Sequence, residues 1–157
     1  MANWLKRLGR QAGWFAAALV VSASLTAVPA GAQVPQQYAA ELARKLVVAE
    51  QFLKDNGFSR AAGPFAGGLE QRRSAQFDVT LRAGLDYRIV GVCDSRCTDL
   101  DLKLYDPSGN EVAEDVLQDS VPVLQIRPVS TGSYAIDVDM VRCGGPACWY
   151  AFNVYSR

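Results

Sequence analysis

Two sets of residues in this chain have types and spacing suited to chemistry: carboxylates two apart along predicted strands, and cysteines four and five apart. Asp99-x-Asp101 and Asp137-x-Asp139 each hold two acids at i and i+2, the spacing that keeps both side chains on one strand face. Such pairs can act as general acid and base in glycoside hydrolysis. They can also ligate Ca2+, a hard cation that gathers about six to eight oxygens. Asp94, on the loop between two cysteines, could join them, which makes Asp94, Asp99, Asp101, Asp137 and Asp139 the candidate calcium ligands. Against that use, the D-x-[DN]-x-[DN]-G calcium loop is missing. Alternating acids also serve to solvate the outer face of an antiparallel sheet and to discourage edge association.

The chain contains no histidine, which removes the Ser-His-Asp and Cys-His arrangements and the common zinc hydrolase sites. The acid pairs are expected on a solvated face, because the alternating Leu, Ile, Val and Met positions must fill the core. The chain is therefore expected to have no catalytic activity. Of the four cysteines, Cys93 and Cys97 flank Asp94-Ser95-Arg96, and Cys143 and Cys148 flank Gly144-Gly145-Pro146-Ala147. Four cysteines allow three pairings, and the spacing favours the two local ones, Cys93–Cys97 and Cys143–Cys148. Spacing alone leaves open the rivals that would tie the two loops together. Four thiolates could also hold zinc, but neither spacing is the usual C-x2-C.

An oxidising compartment is where such bridges belong, and the N-terminus points there. Lys6, Arg7 and Arg10 form a cationic lead, Trp14 to Val28 an apolar core, and Ala30-Gly31-Ala32 a site of small residues for signal peptidase. Residues 1–32 therefore read as a signal peptide cleaved near Ala32, giving a periplasmic or extracellular protein. An uncleaved anchor is the alternative, but a spanning helix needs roughly 20 apolar residues, more than this stretch offers. From Gln33 onward there are 13 basic against 16 acidic residues, a formal charge of −3. That balance argues against a nucleic-acid partner, and no stable membrane span is expected after cleavage.

The elements that must position these groups follow from periodicity. Over Gln37–Asn56, Tyr38, Leu42, Leu46, Ala49 and Leu53 recur three and four apart, which predicts an amphipathic helix stopped at Asn56-Gly57. Its stripe should dock on the domain in cis; presenting it to a partner or a second copy is the alternative. Ala61 to Gly68, rich in Gly with one Pro, reads as a loop, so residues 33–68 are expected to form helix plus loop and residues 69–157 the folded domain. There the period becomes two: Phe77, Val79 and Leu81; Tyr87 to Cys93, apolar on both parities and so central; Leu100, Leu102 and Leu104. Asp106-Pro107-Ser108-Gly109-Asn110 is a turn returning into Glu111 to Ala113. Val121 to Arg127 reads as another strand, with Pro122 marking its start or an edge position, followed by Tyr134 to Val141 and Trp149 to Tyr155. The fold class is mainly β, an antiparallel β-sandwich preceded by one helix. Tyr150, Phe152 and Val154 share a face expected in the core, which leaves Trp149 and Tyr155 as candidate contacts for a sugar or peptide.

The run Tyr87-Arg88-Ile89-Val90-Gly91-Val92-Cys93, the alternating Asp99-Leu100-Asp101-Leu102-Lys103-Leu104-Tyr105 with its Asp106-Pro107-Ser108-Gly109-Asn110 turn, and the late Gly132-Ser133-Tyr134 together resemble the bacterial pre-peptidase C-terminal domain. The resemblance covers roughly Ser74 to Tyr155. It implies a jelly-roll-like sandwich, usually appended to secreted proteases and usually not catalytic, with similar domains in collagenases binding calcium and collagen. This chain carries no protease domain, and its paired cysteines go beyond the family pattern. The expectation is an exported, disulfide-stabilised binding or interaction module with a protein or glycan partner. A calcium-dependent binder and an accessory to a separate secreted peptidase are the alternatives.

Overall fold

The alternating segments fold as strands, and the helical segment folds as one helix. The computed structural model describes residues 33–157, so the expected signal peptide and its cleavage site lie outside the described residues. Helix α1 (Gln36–Asp55) is followed by β1 (Ser59–Leu69), β2 (Arg73–Leu81), β3 (Tyr87–Cys93), β4 (Cys97–Tyr105), β5 (Glu111–Asp115), β6 (Val123–Ile126), β7 (Gly132–Cys143) and β8 (Cys148–Ser156). Two four-stranded sheets result, in the orders β1-β8-β3-β6 and β2-β7-β4-β5, with every strand pair antiparallel. Only β4 and β5 follow one another within a sheet; all other connections cross between sheets, which is jelly-roll topology.

Alternation explains the interior. Ile89, Leu102, Leu104, Ile136, Val138, Met140 and Phe152 point inward and are essentially inaccessible. The Asp106 carboxylate accepts the Ser108 and Asn110 amides, so the β4–β5 turn is held without a metal. Tyr134 donates its hydroxyl to the Ser130 carbonyl at 3.0 Å, fixing the entry into β7. Both cysteine pairs are bridged as their local spacing suggests. Because β3 and β8 belong to one sheet and β4 and β7 to the other, each bridge staples the two sheets together at the same end of the sandwich.

Two expectations need correction. Residues 61–68 are not a loop but most of β1, so the sandwich begins at Ser59 rather than at residue 69. Gly and Ala weaken strand propensity, yet here they let large β8 side chains lie against the backbone: a Cβ at Gly67 would sit 2.7 Å from the Tyr150 hydroxyl, and one at Gly68 would sit 2.8 Å from the Trp149 ring. The second correction concerns Tyr155, expected as a contact for a sugar or peptide on the outer face of the first sheet. That face is not solvated, because α1 lies across it, with Leu42 and Leu46 on Val92 and Ala151, and Leu53 on Val90 and Tyr155. This is the docking in cis that the helical stripe predicts. Each buried leucine contributes about 2 kcal/mol before the cost of ordering the chain. Lys45 adds a bond from its ammonium to the Cys93 carbonyl at 2.6 Å.

Candidate functional site

With α1 over one sheet, the outer face of β2-β7-β4-β5 is the one large sheet surface that no other described element covers. Strand register assembles it. Across β4 and β7, Asp101 stands opposite Asp139 and Lys103 opposite Asp137. On the other side of β7, Ser74 stands opposite Asp139, Gln76 opposite Asp137 and Asp78 opposite Ala135. Glu114 of β5 stands opposite Lys103. Five carboxylates, Asp78, Asp101, Glu114, Asp137 and Asp139, share this face around a single lysine, with Asp99 buried at the start of β4, while Arg72, Arg73 and Arg142 border one end. Among the described residues, none of the five is within ion-pair distance of a cation.

Polar neighbours hold only two of these carboxylates. Ser74 donates its hydroxyl to Asp139, and Gln76 donates its amide to Asp137 at 2.7 Å. Asp99 is 6% exposed and takes no side-chain hydrogen bond from a described residue. One oxygen of Asp101, Oδ1, is buried with no hydrogen-bond partner. Burial and the nearby charges of Asp99 and Asp139 push the Asp101 pKa up to about 6, with Lys103 offsetting part of the rise. Two shallow depressions mark the face. One, of about 400 Å3, is lined by Gln76, Asp78, Tyr105, Pro107 and Asp137; the other, of about 280 Å3, by Arg73, Ser74, Asp101 and Asp139.

The five candidate calcium ligands do not come together. Asp94 is fully buried and already engaged: its Oδ1 accepts the Arg96 amide at 2.9 Å, and its Oδ2 accepts the Arg96 guanidinium and the Trp149 amide, both at 2.7 Å. Burial raises the Asp94 pKa, but these bonds outweigh it and hold the carboxyl below its usual range. Asp94 is thus a structural anchor joining the cysteine loop to β8. Asp101, Asp137 and Asp139 do share the open face, but Asp99 is buried, and no three acidic, cysteine or histidine side chains among the described residues are grouped to hold a metal ion.

Trp149 and Tyr155 do lie opposite Tyr150, Phe152 and Val154, but the face they occupy is the one under α1. Tyr155 is inaccessible and packs with Leu53, Phe58 and Val90, so it cannot contact a ligand. Trp149 is half-buried, stacked on Tyr38 with ring centroids 6.2 Å apart, while Arg96 lies 4.2 Å above the Tyr38 ring. Sequence reasoning missed Asp78, Gln76 and Glu114 as members of the acidic face. Their outward parity is visible in the alternation, but which strands stand side by side is not. No protein-family model matches the chain, and no curated protein matches it in sequence.

Proposed function

We propose that this chain is an exported, non-catalytic binding module that meets a cationic partner through the open face of β2-β7-β4-β5. The observation that carries this reading is the set of five carboxylates around Lys103 that form no ion pair among the described residues. An uncompensated charge layer of one sign steers and holds ligands of the other. The cationic, apolar and small-residue pattern of residues 1–32 supports export. So do the two disulfides, and no described helix is long and apolar enough to cross a membrane. The jelly-roll topology and the order of motifs along the chain support a relative of the pre-peptidase C-terminal domain. The lack of histidine supports a role in binding rather than catalysis.

An NMR titration of the bridged protein with a short lysine oligomer tests the binding half. Amide shifts should concentrate on β2, β4 and β7 and vanish at roughly 0.5 M salt, where screening is strong. Shifts confined to α1, or none at low salt, would overturn the reading. Intact mass of the exported protein tests the other half: it should begin at Gln33, and a chain that retains Met1 would remove export by cleavage.

A further inference from the structure

The four outermost strands of the sandwich are not equally guarded. β1 contains Pro64 and two register shifts. β6 is four residues long and follows Pro122. β5 is five residues long and irregular where it meets Tyr105. Short length, proline and bulges are the devices that keep a sheet edge from pairing with another chain. β2 has none of them: Arg73–Leu81 runs through nine consecutive register positions with β7 without a shift, contains no proline, and has β7 as its sole strand neighbour among the described residues. Its inward residues Ala75 and Phe77 are also left partly exposed, whereas Val79 and Leu81 are buried. Toward the far end of the strand, a depression of about 300 Å3 is lined by Ala61 of β1 with Thr80, Arg82 and Tyr87, while nearer its middle Phe77 meets Phe65 of β1 with ring centroids 5.8 Å apart.

Resting on the binding role proposed above, we infer that the free edge of β2 accepts an extended segment of a partner protein, carrying lysine or arginine at alternate positions, as a fifth strand of the acidic sheet. The added backbone satisfies the unpaired N–H and C=O groups along β2. Adjacent strands lie about 4.8 Å apart, so cations on the outer face stand beside Ser74, Gln76 and Asp78. Their long side chains reach one strand further, to Asp137 and Asp139. The intervening residues of the segment point inward, where small apolar side chains cover Ala75 and Phe77. The same charges oppose a second copy of this chain as the occupant: two β2 edges paired about a two-fold axis would bring two uncompensated acidic faces side by side.

Two peptides test this on the bridged protein: a nine-residue alternation of lysine and valine, and the same peptide with every backbone amide methylated so that neither edge can donate to a neighbouring strand. The unmodified peptide should bind roughly tenfold tighter and protect β2 amides from hydrogen exchange. Equal affinity with shifts still on the acidic face would overturn strand addition while leaving the binding face intact. Failure of both peptides to bind at low salt would remove the binding face as well. Protection of β2 by the protein's own concentration, without peptide, would identify a second copy as the occupant and overturn the proposal.

Discussion

On β3 and β8 the residues that point away from the sandwich centre include Val90, Val92, Ala151 and Tyr155, and α1 lies over them. On β4 and β7 the corresponding positions hold Asp101, Lys103, Asp137 and Asp139, and no described element lies over them. One sequence pattern, a strand with one parity in the core, therefore ends in two different surfaces. An apolar outer parity must be roofed, because a contiguous exposed apolar face promotes association. A carboxylate outer parity must stay wet, because burying unpaired charge is costly. The helix thus completes the fold on one side, and the acids are left uncovered on the other.

Three substitutions sharpen that division. The largest effect is expected from Leu46→Asp, which puts a charge beneath α1 where Leu46 meets Val92 and Ala151. Urea unfolding should show a loss of about 3–5 kcal/mol, against a change within roughly 0.5 kcal/mol for Asp139→Asn on the open face. Similar losses at both sites would erase the distinction between roofed and open sheet. Next comes Asp94→Ala, which strips Arg96 and the Trp149 amide of their shared acceptor. A loss of about 2–3 kcal/mol is expected, with the bridges still formed by mass; no loss would mean that Asp94 is not the anchor of the cysteine loop.

The smallest effect concerns pH. The Asp101 pKa lies at about 6 in the folded protein against an ordinary 3.8, so the folded state binds the proton more tightly than the unfolded chain. The charged form therefore costs stability above pH 6, and that cost is relieved as pH falls through 6 toward 4. Asp94 and Glu50 have lowered pKa values, so the stability they contribute is lost only at more acidic pH. Thermal unfolding should accordingly show a midpoint that rises between pH 7.5 and 5, by an amount worth about 1 kcal/mol. Asp101→Asn should flatten that rise. A midpoint that falls over this range in the parent would contradict the crowding of carboxylates around Asp101.

Much of this architecture is legible in the residues themselves. Leu100, Leu102 and Leu104 against Asp99, Asp101 and Lys103 announce β4 and its two faces, and Tyr87 to Cys93, apolar on both parities, announces a strand covered on both sides. The helix stripe from Leu42 to Leu53 marks the surface that docks. β1 is hidden because Gly63-Pro64 and Gly67-Gly68 carry loop composition, and only contact with Tyr150 and Trp149 gives those glycines a reason to be in a strand. The burial of Tyr155 is hidden for a related cause: parity says which face a residue is on, while the roof over that face comes from a helix a hundred residues away in sequence. Asp94 resembles a ligand because it is acidic and sits on a loop, and only the position of the Trp149 amide reveals it as an anchor.

The claim that the open acidic sheet is the recognition surface is tested most directly by moving charge from one side of the sandwich and not from the other. Asp137→Asn with Asp139→Asn removes two carboxylates from the open face; Glu41→Gln with Glu50→Gln removes two from α1, where they pair with Lys45 and Lys54. The measurement is the affinity of a lysine oligomer for each double variant at low salt. A loss of roughly tenfold or more is expected for the first pair, with affinity unchanged for the second. Equal losses from both pairs would mean that only net charge matters, and a loss confined to the helix pair would place recognition on α1.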